Sequence, residues 1–379
     1  MKDLKKSILL GLGLFAMFFG AGNAFLPSYI GVRVGTGLYL SIIGFAITAV
    51  GLPLLGLMVV IQNEGNYLKL FEPMGQIFSK IYLLLTFLII GPIIAMPRIA
   101  STTYEMGVSP LFPYAGKLLV SFVFFAICIL FSINKNRVVE RVGGYLTPIL
   151  IATLVLLIIS GLVYKDTKVL ESSVKNPFIF SFMEGYNTLD AIASIVFAKL
   201  IYDAVKSEKN RLKISKRACL IAAMCLTLVY AGLIFLGNRI FIENGIEKAR
   251  TILILDITKK LLGDFGIIIL AIIVILACLT TAIGLISAVS NYFVELFEYK
   301  ISYNVFVFII AIVAFSISHL SVDMIISLSI PILSIFYPVL IVILILNLLK
   351  SKYINSNVIK FCTYTTLVLA IINQIKNFV

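Results

Sequence analysis

The chain has 379 residues, 61% of them hydrophobic and 13% charged, with a mean hydropathy of +1.09. So little polar material cannot cover a soluble core of this size; stretches of about 20 apolar residues recur from end to end, which makes the chain a polytopic membrane protein without a separate soluble domain. The formal net charge of +13 invites a nucleic-acid reading, but in a membrane chain the placement of Lys and Arg decides more than their sum, and no nucleic acid is expected as a partner.

In chain order, eleven spans are expected, near residues 7–32, 37–62, 77–105, 116–133, 142–164, 178–204, 214–238, 265–297, 303–318, 322–349 and 357–375. The fold class is therefore all-α and transmembrane. The first span follows a short basic tip, as a signal peptide would, yet its apolar run continues past Gly20 without a convincing small-residue cleavage site, so it counts as the first helix. With the N-terminus inside, 18 of the 31 Lys and Arg residues fall on the inner side and 11 on the outer side, leaving Arg98 and Lys199 within spans. This bias predicts a cytoplasmic N-terminus in a multi-pass inner-membrane protein. The densest cluster, Lys206 to Arg217, reads as a topology anchor among lipid phosphates. The cysteines Cys128, Cys219, Cys225, Cys278 and Cys362 lie in apolar segments with no CxxC or metal-ligand spacing, and read as packing residues.

The first span is interrupted by GAGN at Gly20 to Asn23. Lipid cannot hydrogen-bond the backbone groups that such a break frees, so the break must line a cavity or coordinate something. Because the C=O of residue i normally pairs with the N–H of residue i+4, the break frees carbonyls from Ala16 to Phe19 at the negative end of a half-helix, where they suit Na⁺ or a substrate ammonium. The N–H groups of Ala21, Gly22 and Asn23 open the next half-helix and suit a substrate carboxylate. A zwitterion fits both ends. The competing reading is a site of close helix packing by small residues.

The sixth span carries the second interruption, EGYNTLD at Glu184 to Asp190. Tyr186, Asn187 and Thr188 are candidate substrate ligands. Asp190 is placed either to cap the second half-helix or to serve as a proton or cation site, and Glu184 either joins it or faces an outer vestibule. Breaks in spans one and six each open a group of five helices. An odd number of spans inverts the second group, which predicts inverted repeats over 5–164 and 176–349 and an extra C-terminal helix in 350–379, all in a single transmembrane domain over 1–379.

The eighth span holds Thr280 and Thr281 half-way along an apolar run. Their hydroxyls and the Ala277 carbonyl can complete an oxygen cage around Na⁺ with the freed carbonyls of the first helix; alternatively the threonines bond back to their own helix. Arg98, preceded by Pro97 in the third span, is expected to face the interior and pair with an outer-half carboxylate, as a gate or as a structural pair. Lys199 and Asp203 are four apart and predict a local ion pair. The single histidine, His319, reads as a solvated loop residue, and Pro331 and Pro338 predict a kinked tenth span.

Four blocks carry a resemblance: LFAMFFGAGNAFLP from Leu14, GPIIAMPRIASTTYEMG from Gly91, EGYNTLDAIASIVFA from Glu184 and TTAIGLISAVSNYF from Thr280. Together, in this order, they resemble the bacterial branched-chain amino acid permeases of the BrnQ type, the LIVCS family of cation symporters. The resemblance implies Na⁺-driven uptake of leucine, isoleucine and valine on a scaffold similar to the leucine-transporter fold, with no cofactor beyond the coupling ion. It lines up Ala16, Phe19, Ala277, Thr280 and Thr281 with a sodium site, and Asn23 with a substrate or second cation site. Such carriers run longer and carry a twelfth helix, whereas this sequence stops at Val379 after an eleventh; the difference lies outside the repeats. An enzyme is disfavoured, because there is no HExxH, no nucleophile with a histidine partner and no acidic metal cluster. The alternatives kept open are H⁺ coupling through Asp190 on the same fold, a channel, and a sensor that binds an amino acid without transporting it.

Overall fold

The computed structural model describes residues 2–133, 144, 146–164, 171–240, 242, 245, 247–349 and 355–378. Of the cations counted for orientation, Lys135, Arg137, Arg141, Lys165, Lys168, Lys350 and Lys352 lie outside the described residues, as does the start of the fifth expected span. Among the described residues the chain is helical, with no strand.

The first expected span is two helices, α1 (Lys2–Phe18) and α2 (Ala21–Val34). The second is α3 (Leu38–Ala46) and α4 (Leu52–Gln62), joined by a π-helical turn at Ile47–Gly51. A short α5 (Leu68–Phe71) precedes the third, which runs through α6 (Gln76–Leu88) and α7 (Ala95–Thr102) with π-helical turns at Ile89–Ile93 and Thr103–Val108. Then come α8 (Lys117–Ser132), α9 (Thr147–Val163), and the second broken span as α10 (Pro177–Glu184) and α11 (Asp190–Ala204). The series continues with α12 (Arg211–Arg239), α13 (Arg250–Leu262), α14 (Asp264–Leu296), α15 (Tyr303–Ile317), α16 (Val322–Leu348) and α17 (Ser356–Phe378).

By length and composition, six helical stretches among the described residues can cross a membrane: Ala21–Gln62, Gln76–Val108, Arg211–Arg239, Asp264–Leu296, Val322–Leu348 and Ser356–Lys376. Shorter apolar helices are Lys117–Ser132, Thr147–Val163 and Tyr303–Ile317. Leu119, Phe122, Leu228 and Ile312 are exposed on outward faces, where lipid rather than water is the solvent. Helix α13 was not expected; its charged residues hide it from a search for apolar runs.

Continuous helices splint the broken ones. Helix α12 packs against both α1 and α2, while α3 and α4 pack against α10 and α11 respectively. Close approach makes this possible. A Cβ on Gly31 of α2 would stand 2.1 Å from Ile234 O, and one on Gly237 of α12 would stand 2.1 Å from Ser28 O. Small residues thus pack helix to helix at Gly31 and Gly237. Because the clash is with backbone, which cannot swing aside, Gly237→Ala is expected to destabilise the protein by about 1–3 kcal/mol. Thermal unfolding of the purified protein in detergent checks this, and an unchanged midpoint would refute the close crossing.

The third span bends at Gly91, where φ −93° and ψ −120° leave the helical region ahead of Pro92. Proline lacks an N–H and crowds the preceding turn, which accounts for the kink. The bend aims Ala95, Arg98 and Ile99 between the two broken helices.

Candidate functional site

Both breaks fall where the sequence places them. Helix α1 stops at Phe18, Gly20 is extended with φ −105° and ψ −155°, and α2 starts at Ala21. In the second, α10 tightens into a 3₁₀ turn at Gly185–Thr188, and Leu189 adopts a left-handed conformation, φ 68° and ψ 6°, before α11 begins. A buried leucine with positive φ is strained backbone, the kind held in place by its surroundings at functional sites.

Between the breaks lies a cavity of about 20 Å³, room for a water-sized molecule. Its polar wall contains Gly20, Ala21, Gly22, Arg98, Thr188, Asp190 and Thr281. Its apolar wall contains Met17, Phe18, Ile90, Ala95, Ile99, Leu189, Ala193, Phe197 and Leu285. Three of the six expected substrate ligands, Ala21, Gly22 and Thr188, therefore line it, and three do not.

Asn23 does not line the cavity and belongs to a buried polar cluster beside it. Its Nδ2 lies 2.6 Å from Phe18 O, 2.8 Å from Asp190 Oδ2 and 2.6 Å from Tyr230 Oη, three acceptors that share its two N–H groups, while the Tyr230 hydroxyl donates to the same Asp190 oxygen at 3.2 Å. The two breaks are thereby joined, with α12 supplying the phenol. The Tyr186 ring stacks on Tyr337 at 4.5 Å, and its carbonyl accepts from the Tyr337 hydroxyl at 2.8 Å. Asn187 donates its side-chain amide to Glu184 at 2.9 Å. Tyr186 and Asn187 therefore frame the second break and do not line this cavity, because the 3₁₀ turn sets the rotation of each.

Asp190 does not cap α11. The helix has no side-chain cap; instead the Asp190 N–H donates to Thr188 Oγ1 at 3.2 Å, which frees the carboxylate for Asn23 and Tyr230. Arg98 also differs from expectation. It faces the interior, but its partners are the carbonyls of Asn187 at 2.7 Å and Thr188 at 3.3 Å rather than a carboxylate. Those carbonyls end the 3₁₀ turn, where the unsatisfied C=O groups of a helix terminus attract a cation.

Beside the cavity, α1 and α14 share a cluster of oxygens. The Thr280 hydroxyl lies 2.8 Å from Ala16 O and 2.9 Å from Ala277 O, and Thr281 Oγ1 lies 3.5 Å from Ala16 O. Thr280 therefore bonds back to its own helix and across to the break at once. One hydroxyl carries one proton, so the two carbonyls compete for it and together keep acceptor capacity for a hard cation. Phe19, the fifth residue expected here, makes no hydrogen bond to α14 among the described residues; its ring stacks on Phe15 and Tyr230. Gly20 brings the break against α14: a Cβ there would stand 2.7 Å from Thr281 Oγ1 and 3.0 Å from its Cγ2.

Ion pairs hold the sixth span at its break and near its C-terminal end. Glu184, at the end of α10, pairs with Arg250 of α13 at 3.3 Å, and Arg250 reaches Asp323 of α16 at 3.5 Å and lies over the Tyr29 ring at 4.7 Å. Towards the other end, Lys199 pairs with Asp203 at 3.5 Å, as its spacing predicts, and with Glu295 of α14 at 3.3 Å. Three participants escaped the sequence reading. Tyr230 and Arg250 carried no local signal, whereas the Gly91-Pro92 dipeptide was a visible helix breaker.

The family model described as branched-chain amino acid transport protein matches residues 3–379. A relative from Staphylococcus epidermidis, named as a branched-chain amino acid carrier protein, is 38% identical over 369 residues, 91% of this chain and 82% of its own length. A carrier so named from Staphylococcus aureus is 35% identical over 375 residues, covering 93% of this chain and 83% of its own. Among solved structures, MhsT in complex with L-phenylalanine superposes with a TM-score of 0.59 at 16% identity, covering 96% of this chain and 97% of that one, and shows that the two share a fold.

Proposed function

We propose, from the premise that this chain belongs to the family of branched-chain amino acid transport proteins, that it imports leucine, isoleucine and valine across the bacterial cytoplasmic membrane by Na⁺-coupled alternating access. The observation that carries this reading is the convergence of two helix breaks on one cavity with an oxygen cluster at its edge. Transporters place substrate and coupling-ion sites at discontinuous helices because freed N–H groups and carbonyls offer both polarities without buried unpaired charge.

Na⁺ would be held by Ala16 O, Ala277 O, Thr280 and Thr281, tying α1 to α14 and setting the position of the break. The amino acid backbone would then lie between the N-terminus of α2 and Asp190, with its aliphatic side chain against Ile90, Ile99, Phe197 and Leu285. The cavity is closed to a molecule of that size in this conformation, so entry requires the half-helices to move. Release of Glu184 from Arg250 would free the first half of the sixth span at the break, and release of Lys199 from Glu295 would free the end of its second half. The proposed inverted repeats, 5–164 and 176–349, draw support from the reciprocal splinting, in which the seventh span braces the first and the second braces the sixth.

Radiolabelled leucine uptake into proteoliposomes tests the proposal, comparing inward Na⁺ and H⁺ gradients of equal driving force. Uptake with Na⁺ alone is expected. Uptake with H⁺ alone would move coupling to Asp190, and no uptake with either would favour a sensor or another substrate.

A further inference from the structure

Among the described residues, Arg98 is the only cationic side chain in the cavity wall. It is 3% exposed, and no carboxylate of the described residues lies within 4.0 Å of its nitrogens. Its two hydrogen bonds go to neutral carbonyls, those of Asn187 and Thr188, and its Nε is buried without a partner. A guanidinium has five N–H groups in a planar fork, so an edge including Nε is left unspent. A buried cation with neither counter-ion nor full hydrogen bonding is costly, more so at membrane depth.

Asp190 stands in the same wall but is engaged by Asn23 and Tyr230. One cationic and one anionic group therefore share a small cavity while neither neutralises the other through contact. Gly22 contributes to the same arrangement. A Cβ there would stand 3.3 Å from Arg98 Nη2, so the bare backbone lets the guanidinium approach the first turn of α2, whose N–H groups lack intrahelical acceptors. The unspent edge of a guanidinium beside a helix N-terminus is complementary to a carboxylate, which it can hold through two parallel hydrogen bonds.

We propose that Arg98 is the specificity-determining anchor for the α-carboxylate of the transported amino acid, binding it through the Nε edge while its other nitrogens hold the broken sixth span. The inference rests on the reading of this cavity as an amino acid site. Substrate binding then supplies a counter-charge in direct contact, which Asp190 does not, and the contact of the same guanidinium with Asn187 and Thr188 couples that event to the second break. A ligand with the leucine side chain and ammonium but no carboxylate would leave the cation unpaired.

The test measures binding of leucine and of leucinamide, its neutral-amide analogue, to the purified full-length protein in the presence of sodium, for the wild type, Arg98→Gln and Arg98→Lys. The wild type is expected to prefer leucine by roughly 30-fold or more. Arg98→Gln is expected to bring the two ligands to near-equal affinity by weakening leucine, and Arg98→Lys to restore part of the preference. Equal affinities in the wild type would overturn the proposal whether or not the variants fold. Parallel weakening of both ligands in Arg98→Gln, with the preference kept, would also overturn it and leave Arg98 as a brace for the sixth span. A wild type that binds neither ligand would instead overturn the transport reading beneath it.

Discussion

Asp190→Asn is expected to lower leucine uptake by about 30-fold or more, the largest effect of any conservative change in the cavity. Asparagine keeps an oxygen able to accept from Asn23 and Tyr230, so the bonds at 2.8 Å and 3.2 Å that join the two breaks have a replacement. What is lost is the charge, which leaves Arg98 without an opposing group in the same wall. Removing one member of a buried charged set is costly chiefly because the other remains. Measuring concentrative uptake and leucine exchange on the same vesicles separates the two readings of Asp190. Loss of both places it in substrate binding, whereas loss of concentrative uptake with exchange intact identifies it as the proton carrier. Normal values for both would remove it from either role.

Thr280→Val is expected to raise the half-saturating sodium concentration about 10-fold or more while leaving uptake at saturating sodium within a few-fold of the wild type. Valine preserves the branched shape in α14 and removes the hydroxyl that lies between Ala16 O and Ala277 O. Thr280→Ser should recover most of the sodium dependence because it restores the oxygen. Thr281→Ala should have a smaller effect in the same direction, since its hydroxyl is 3.5 Å from Ala16 O. Unchanged sodium dependence in both Thr280→Val and Thr281→Ala would exclude this oxygen cluster as the coupling site.

The positions of the two breaks were legible in the chain because they depend on local physics. A glycine and polar residues within an apolar run interrupt the i to i+4 ladder wherever the run folds. The residues alone offered the freed carbonyls of the first helix as partners for Thr280 and Thr281; the family resemblance singled out Ala16, and the structure brings the three together. The Lys199–Asp203 pair was legible for the same reason, as a property of helix spacing.

Side-chain direction at the second break was not legible. Tyr186, Asn187 and Thr188 are consecutive polar residues, and only Thr188 lines the cavity, because a 3₁₀ turn and the left-handed Leu189 set the rotation of each. Arg98 was readable as an interior cation, but its carbonyl partners depend on the kink at Gly91 and on where the sixth span crosses the third. Tyr230 and Arg250 reach their partners from helices distant in sequence, over separations that no local pattern encodes. By itself, then, the sequence determined the membrane class, the two breaks and the chemistry each could offer, since hydropathy and backbone hydrogen bonding are local. Only the tertiary structure decided which of those groups meet, because helix rotation, kinks and close crossings arise from packing between segments far apart in the chain.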